Sequence, residues 1–208
     1  MFDKNFLFGV ATSSYQIEGT HRQFESIWCH QKHQILDHSD GEIACDFYHT
    51  YEEDIKWILN LGVDVYRMSI SWARIEPEKG QYSIDGIKFY KKLFEILKKN
   101  HISIDVTLYH WDMPKWVLDE FDGFADEKIV DAFYKYAIEM FDTFDVYVRS
   151  WTTINEPWCV STVSYYYGSH APFKKDLTKM VKAQYYSLLA HHKVYDSYKE
   201  HYQKDIGI

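Results

Sequence analysis

A carboxylate and an amide stand side by side in Asn155-Glu156-Pro157, directly after the β-branched and aromatic run Trp151-Thr152-Thr153-Ile154. That run has the make-up of a short buried strand. Pro157 cannot donate to a strand ladder and restricts the residue before it to extended geometry, so the strand is expected to stop with Glu156 extended. Placed there, Glu156 has the chemistry to exchange a proton with a leaving oxygen. Asn-Glu-Pro is also ordinary turn chemistry, and taken alone it fits a surface turn equally well.

Other polar groups follow apolar runs in the same manner: Gln16 after Phe6 to Ala11, Arg67 within Val63 to Ile70, and His110 with Trp111 after Ile102 to Leu108. Two amides and an imidazole converging beside a Trp face suit vicinal hydroxyls above an apolar sugar ring. Each residue has a plainer reading as well. Gln16 could cap a loop, Arg67 could pair with a buried acid, and His110 could be a satisfied core histidine.

The elements that must position these groups alternate along the chain. Phe6 to Ala11 reads as the first strand, and His21 to Asp46 as a long loop with turn chemistry at Asp37-His38-Ser39-Asp40-Gly41. Thr50-Tyr51-Glu52-Glu53 has the pattern of a capping box opening a helix that ends near Gly62. Ile87, Tyr90, Leu93, Phe94 and Leu97 recur at helical spacing and predict a second helix ending at Asn100. A loop is expected from Tyr109 through Pro114 and Gly123. Asp126 is placed to cap a third helix that buries Ile129, Val130, Phe133, Ala137, Met140 and Phe141. After Pro157 a loop with Gly168 and Pro172 precedes a helix from about Thr178 to Tyr202. Ile206-Gly207-Ile208 looks like the start of a fifth strand.

Four strand-helix units in series predict the α/β class with a parallel sheet, in a single domain spanning residues 1–208. In a TIM-type (β/α)8 barrel the C-terminal strand ends carry the catalytic groups, which is where all the residues named above fall. A complete barrel takes about 250 residues, so only the first four βα units, a half barrel, are expected.

Composition narrows the function further. Lys plus Arg number 23 against 31 Asp plus Glu, for a net charge of −8, and no basic stripe is visible, which disfavours nucleic acid as a partner. No apolar run approaches the ~20 residues of a membrane helix, and no secretory leader is seen. Cys29, Cys45 and Cys159 form neither a disulfide framework nor a zinc pattern, which fits a reducing cytoplasm. His30, His33, His38, His191 and His192 lack a carboxylate set at ligand spacing, so neither a metal nor another cofactor is expected.

Six motifs in order resemble glycoside hydrolase family 1, the retaining β-glucosidases and their relatives. They are Phe6-Leu-Phe-Gly-Val-Ala-Thr-Ser-Ser-Tyr-Gln-Ile-Glu-Gly19, Ala44-Cys-Asp-Phe-Tyr-His49, Tyr66-Arg-Met-Ser-Ile-Ser-Trp72, Thr107-Leu-Tyr-His-Trp-Asp112, Thr153-Ile-Asn-Glu-Pro157 and His170-Ala-Pro172. The resemblance implies that Glu156 is the general acid/base. It implies that Gln16, His110 and Asn155 hydrogen-bond the sugar, that Trp111 lines its subsite, and that Arg67 supports the nucleophile. Tyr15-Gln16 looks more like the β-glucosidase branch than the phospho-sugar branch.

The family's nucleophile lies in a Thr-Glu-Asn-Gly motif on the seventh strand, and no such motif occurs in these 208 residues. The sugar-gripping Trp and Glu of the family's eighth unit are absent too. Retaining hydrolysis needs two carboxyl groups about 5–5.5 Å apart. Glu18 and Asp112 are the nearest substitutes, and neither is expected to face the anomeric carbon from the opposite side. The chain alone is therefore expected to be inactive, either as a piece of a β-glucosidase that needs a complementary C-terminal half, or as a non-catalytic sugar-binding or structural half barrel closed by self-association. In both readings the small-molecule partner is a β-glucoside or related carbohydrate.

Overall fold

A computed structural model describes residues 2–29, 35 and 38–208. In chain order its elements are β1 (Gly9–Ala11), α1 (Ser14–Ile17), α2 (Phe47–Asn60), β2 (Val65–Ser69), α3 (Trp72–Ile75), α4 (Ile84–Lys99), β3 (Ser103–Tyr109), α5 (Lys115–Phe121), α6 (Lys128–Phe144), β4 (Ser150–Ile154), α7 (Leu177–His201) and β5 (Asp205–Gly207). The five strands form one sheet in the order β1-β2-β3-β4-β5, and every pair is parallel. This is the arrangement of the opening units of a (β/α)8 barrel.

Register explains why the sheet has an apolar side and a polar side. Tyr66 pairs with Ile104 and Val106 with Trp151, so these residues project to one face. There they join the core made by the helices, with Tyr66, Ile104, Val106 and Trp151 each no more than 2% exposed. The alternate positions place Arg67 opposite Asp105 and Ser69 opposite Thr107, lining the other face with polar groups. Strand periodicity of two thus aims Arg67 away from the helices and toward the barrel interior.

The helix patterns hold where the apolar period is long. Ser83 Oγ accepts from Gly86 N at 3.1 Å to cap α4, which buries Phe89, Tyr90, Leu93, Phe94 and Leu97. All six residues expected to be buried on α6 are buried, and Asp126 Oδ1 accepts from Lys128 N at 2.9 Å.

Short signals fared worse. The Thr50–Glu53 capping box does not form, because α2 starts at Phe47, whose ring is buried at 4% exposure. Burying that ring extends the helix a turn earlier, and Thr50 Oγ1 bonds inside it, to Asp46 O at 3.1 Å and Asp54 Oδ2 at 2.7 Å. The first strand spans Gly9–Ala11 alone, and Phe6, Leu7 and Phe8 are about half exposed. Phe2 instead stacks on Phe6, and Phe8 meets both rings edge-on.

Two expected loops contain helix. Pro114 opens α5, which buries Val117 and Phe121, an i,i+4 pair too short to stand out as a period. Cys159–Tyr167 after Pro157 is a π-helical segment. Within the long loop, residues 30–34, 36 and 37 lie outside the described residues. Among the described residues no helix is long and apolar enough to cross a membrane.

Candidate functional site

The site grows from the pairing of β3 with β4. Tyr109 is in register with Ile154, and Asn155 N donates to Tyr109 O at 2.9 Å, carrying the ladder one residue past the strand. Both chains then turn sharply: Trp111 has φ 67° and Glu156 has φ 49°. These are left-handed backbones for bulky residues, a conformation costing on the order of 1–3 kcal/mol each and concentrated at functional sites. Glu156 is therefore not extended, contrary to the expectation from Pro157. Local bonds over-determine the turn: Trp111 Nε1 donates to Asn155 O at 3.0 Å, and Val160 N donates to Glu156 O at 3.1 Å.

Side chains of three strands meet here. Arg67 Nη2 donates to Asn155 Oδ1 at 2.7 Å. That bond fixes the Asn155 amide with its nitrogen left as the donor end. It also replaces the buried ion pair that was one reading of Arg67 with a bond to a neutral amide. Cys159 Sγ donates to Glu156 Oε2 at 3.0 Å from the first turn of the π-helical segment, steadying an otherwise exposed carboxylate.

His110 belongs to the same group. Burial pushes its imidazole down to about 4, the Arg67 charge acts in the same direction, and Glu156 opposes them. It is thus neutral at neutral pH, with one ring nitrogen to donate and one to accept. The plain core-histidine reading does not fit, because His110 is only partly buried.

Sequence reasoning missed the aromatic wall beside these groups. His170 packs against Trp111 with ring centroids 5.0 Å apart and against Trp28 at 5.7 Å. Trp28 Nε1 donates to Trp111 O at 2.7 Å, and Tyr15 stacks on Trp28 at 5.5 Å. Burial lowers the His170 imidazole, with Glu156 opposing. The motif His170-Ala171-Pro172 was the available signal, but nothing local in it assigns the ring a neighbour.

Gln16 stands at the same sheet end, exposed on α1, and its Oε1 accepts from Ser13 Oγ at 2.6 Å. Its side chain bonds within its own turn, to Ser13.

The two candidate substitutes for a nucleophile are both committed elsewhere. Glu18, 2% exposed, accepts from Arg74 Nε at 2.9 Å and from Tyr90 OH at 2.8 Å. Asp112, 3% exposed, accepts from Ser71 Oγ at 3.0 Å, and its Oδ1 is buried with no hydrogen-bond partner. Burial pushes the Asp112 carboxyl up to about 7.

This gives a pH prediction. In the unfolded chain the Asp112 carboxyl titrates near 3.9, so between about pH 4 and 7 the folded state binds the extra proton. Its contribution is fully present below about pH 4 and is lost as pH rises toward 7. His110, held down to about 4, contributes the opposite slope in the same window, so the test is the difference in urea midpoint between the native chain and Asp112→Asn. Asp112→Asn is expected to lose the falling contribution, so its midpoint climbs more steeply with pH than the native one, and an unchanged pH dependence would contradict the assignment.

The described histidines among those weighed for metal binding have other neighbours. His191 Nδ1 lies 2.8 Å from Thr153 Oγ1, His192 pairs with Asp196 on its own helix at 3.3 Å, and His30 and His33 lie outside the described residues.

Comparison with known proteins gives a consistent result. The model for Glycosyl hydrolase family 1 matches residues 1–208. Beta-glucosidase A of Acetivibrio thermocellus is 40% identical over 206 residues, covering 96% of this chain and 46% of that protein. The peroxisomal Beta-glucosidase 26 of Arabidopsis thaliana is 43% identical over 182 residues, covering 82% of this chain and 32% of that protein. The family 1 β-glucosidase of Thermotoga maritima superposes with a TM-score of 0.96 at 39% identity, over 100% of this chain and 48% of that one. The chain thus spans less than half the length of these relatives.

Proposed function

The chain belongs to glycosyl hydrolase family 1, and from that premise we propose that it supplies the acid/base half of a retaining β-glucosidase-type site. The observation that carries the proposal is the junction of β3 and β4, where Glu156, Asn155, His110 and Trp111 leave two paired strands together. Glu156 is the proton donor to the glycosidic oxygen and later the base for water. The nitrogen end of Asn155, neutral His110 and Gln16 hydrogen-bond sugar hydroxyls, while Trp111 faces the apolar side of the ring. Arg67 positions Asn155.

A retaining reaction also needs a carboxylate nucleophile about 5–5.5 Å from the acid. With Glu18 and Asp112 tied into buried networks, we assign that group to a second polypeptide segment, the complementary C-terminal half of a barrel. Among the described residues β1 and β5 each pair on one side only, so the sheet presents two open edges for such a half to close. The same edges would also serve a second copy of this chain, the reading in which the protein is a non-catalytic module.

Mixing the chain with a separately produced C-terminal half of a family relative tests the choice. Hydrolysis of an aryl β-glucoside is expected from the mixture and from neither part. A stable homodimer in light scattering, with no hydrolysis after mixing, would overturn the proposal in favour of the module.

A further inference from the structure

We propose that His21, Asp46 and His49 form a site for one divalent transition-metal ion of the zinc class, where the segment after α1 meets the start of α2. Their ligand atoms all lie within 4.8 Å of one another. His21 Nε2 is 3.1 Å from Asp46 Oδ1, and His49 Nδ1 is 2.6 Å from the same oxygen. With zinc bonds of about 2.0–2.2 Å, tetrahedral ligand atoms stand roughly 3.3–3.5 Å apart, so a small opening of this cluster admits the ion. Two imidazoles and a carboxylate are a donor set that borderline metals prefer and that magnesium and calcium do not.

The fold holds the three residues together through main-chain bonds. His21 N donates to Glu42 O at 2.9 Å, Cys45 N to Ile17 O at 3.2 Å, and Tyr48 N to Glu18 O at 3.2 Å, tying the segment after α1 to the start of α2. Asp46 and His49 share the first turn of α2, three residues apart. Gly19 provides the room: a Cβ there would stand 2.6 Å from His21 Nε2.

Asp46 also departs from its usual use. An Asp at the N-cap ordinarily accepts from a backbone amide of its helix. Here that bond is not made, and the carboxylate turns to the two imidazoles instead. Side chains of His21, Asp46 and His49 are 16%, 39% and 53% exposed, so an ion can enter and a water can complete its coordination.

The three residues come from the segment after α1 and the start of α2, so the ion acts as a staple. It would clip residue 21 to residues 46 and 49 and thereby brace the turn that carries Gln16 and Glu18.

The test uses the whole chain, with Zn2+ as the probe and Co2+ as a spectroscopic stand-in. One Zn2+ per chain is expected to bind, raising Tm in proportion to the logarithm of its concentration, with Mg2+ ineffective. Co2+ is expected to show visible absorption bands. His21→Ala and His49→Ala, checked for folding by circular dichroism, are each expected to weaken binding by about tenfold or more. No saturable binding and no cobalt bands in the native chain would overturn the proposal, a result that does not depend on any variant folding. Undiminished binding in both variants would overturn it too, assigning the ion elsewhere among the chain's 11 histidines.

Discussion

In the enzyme reconstituted from this chain and a complementary C-terminal half, Glu156→Gln is expected to lower kcat/KM by about 10²- to 10⁴-fold. The amide keeps the size and much of the hydrogen bonding of the carboxyl but neither gives up nor accepts a proton. That range corresponds to roughly 3–5 kcal/mol of transition-state stabilisation at 1.36 kcal/mol per tenfold. The loss depends on the aglycone. An alkyl glucoside must expel a strongly basic alkoxide and suffers most, whereas a dinitrophenyl glucoside expels a weakly basic phenolate that needs little protonation. Activities of both substrates on the variant check this. An equal, small loss on both would mean that Glu156 positions rather than protonates. Cys159→Ser is a useful companion because it keeps a donor to Glu156 Oε2 in place of the Cys159 thiol.

The second large effect is on folding. Arg74→Ala is expected to destabilise the chain by about 3–5 kcal/mol, the cost of stranding a buried charged partner. The side chains of Arg74 and Glu18 are 2% and 3% exposed, so water cannot replace the lost bond. Arg74 makes further contacts: Nη2 donates to Gly19 O at 2.7 Å, and the guanidinium lies 4.1 Å from the Tyr48 ring centroid. Arg74→Lys is therefore expected to recover little, because an ammonium has neither the fork nor the flat face. Set against total stabilities of about 5–15 kcal/mol, the loss is a large fraction. Urea unfolding of Arg74→Ala, Glu18→Gln and the double variant would measure it. A cost below about 1 kcal/mol for Arg74→Ala would refute the argument. The consequence reaches the sugar site, since Glu18 follows directly on the α1 turn that presents Gln16.

The fold and the site are legible in the sequence to different degrees. Long apolar periods identify α4 and α6, because burial of Phe94 or Met140 against the sheet leaves a repeat spanning several turns. The capping pattern at Thr50 failed because a four-residue signal of about 1 kcal/mol yields to the burial of one aromatic ring, Phe47. The left-handed backbone at Glu156 ran against the rule for residues before proline. It is held by the Trp111 bond to Asn155 O, which spans the paired strands, together with local bonds from Val160 and Cys159.

By itself the sequence determined the order of the βα units, the strand ends at which Gln16, His110, Trp111, Asn155 and Glu156 fall, the strand that carries Arg67, and the family resemblance. Those are local and periodic properties, written in residue types at fixed spacing. Only the tertiary structure decided which of those residues meet. It joined Arg67 to Asn155 across 88 positions, left Gln16 bonded within its own turn, and stacked His170 and Trp28 on Trp111. It also removed Glu18 and Asp112 from the chemistry by burying them, and it gathered His21, Asp46 and His49. The physical reason is that strand register and helix packing set distances between residues far apart in the chain, and no pattern within a short window encodes them.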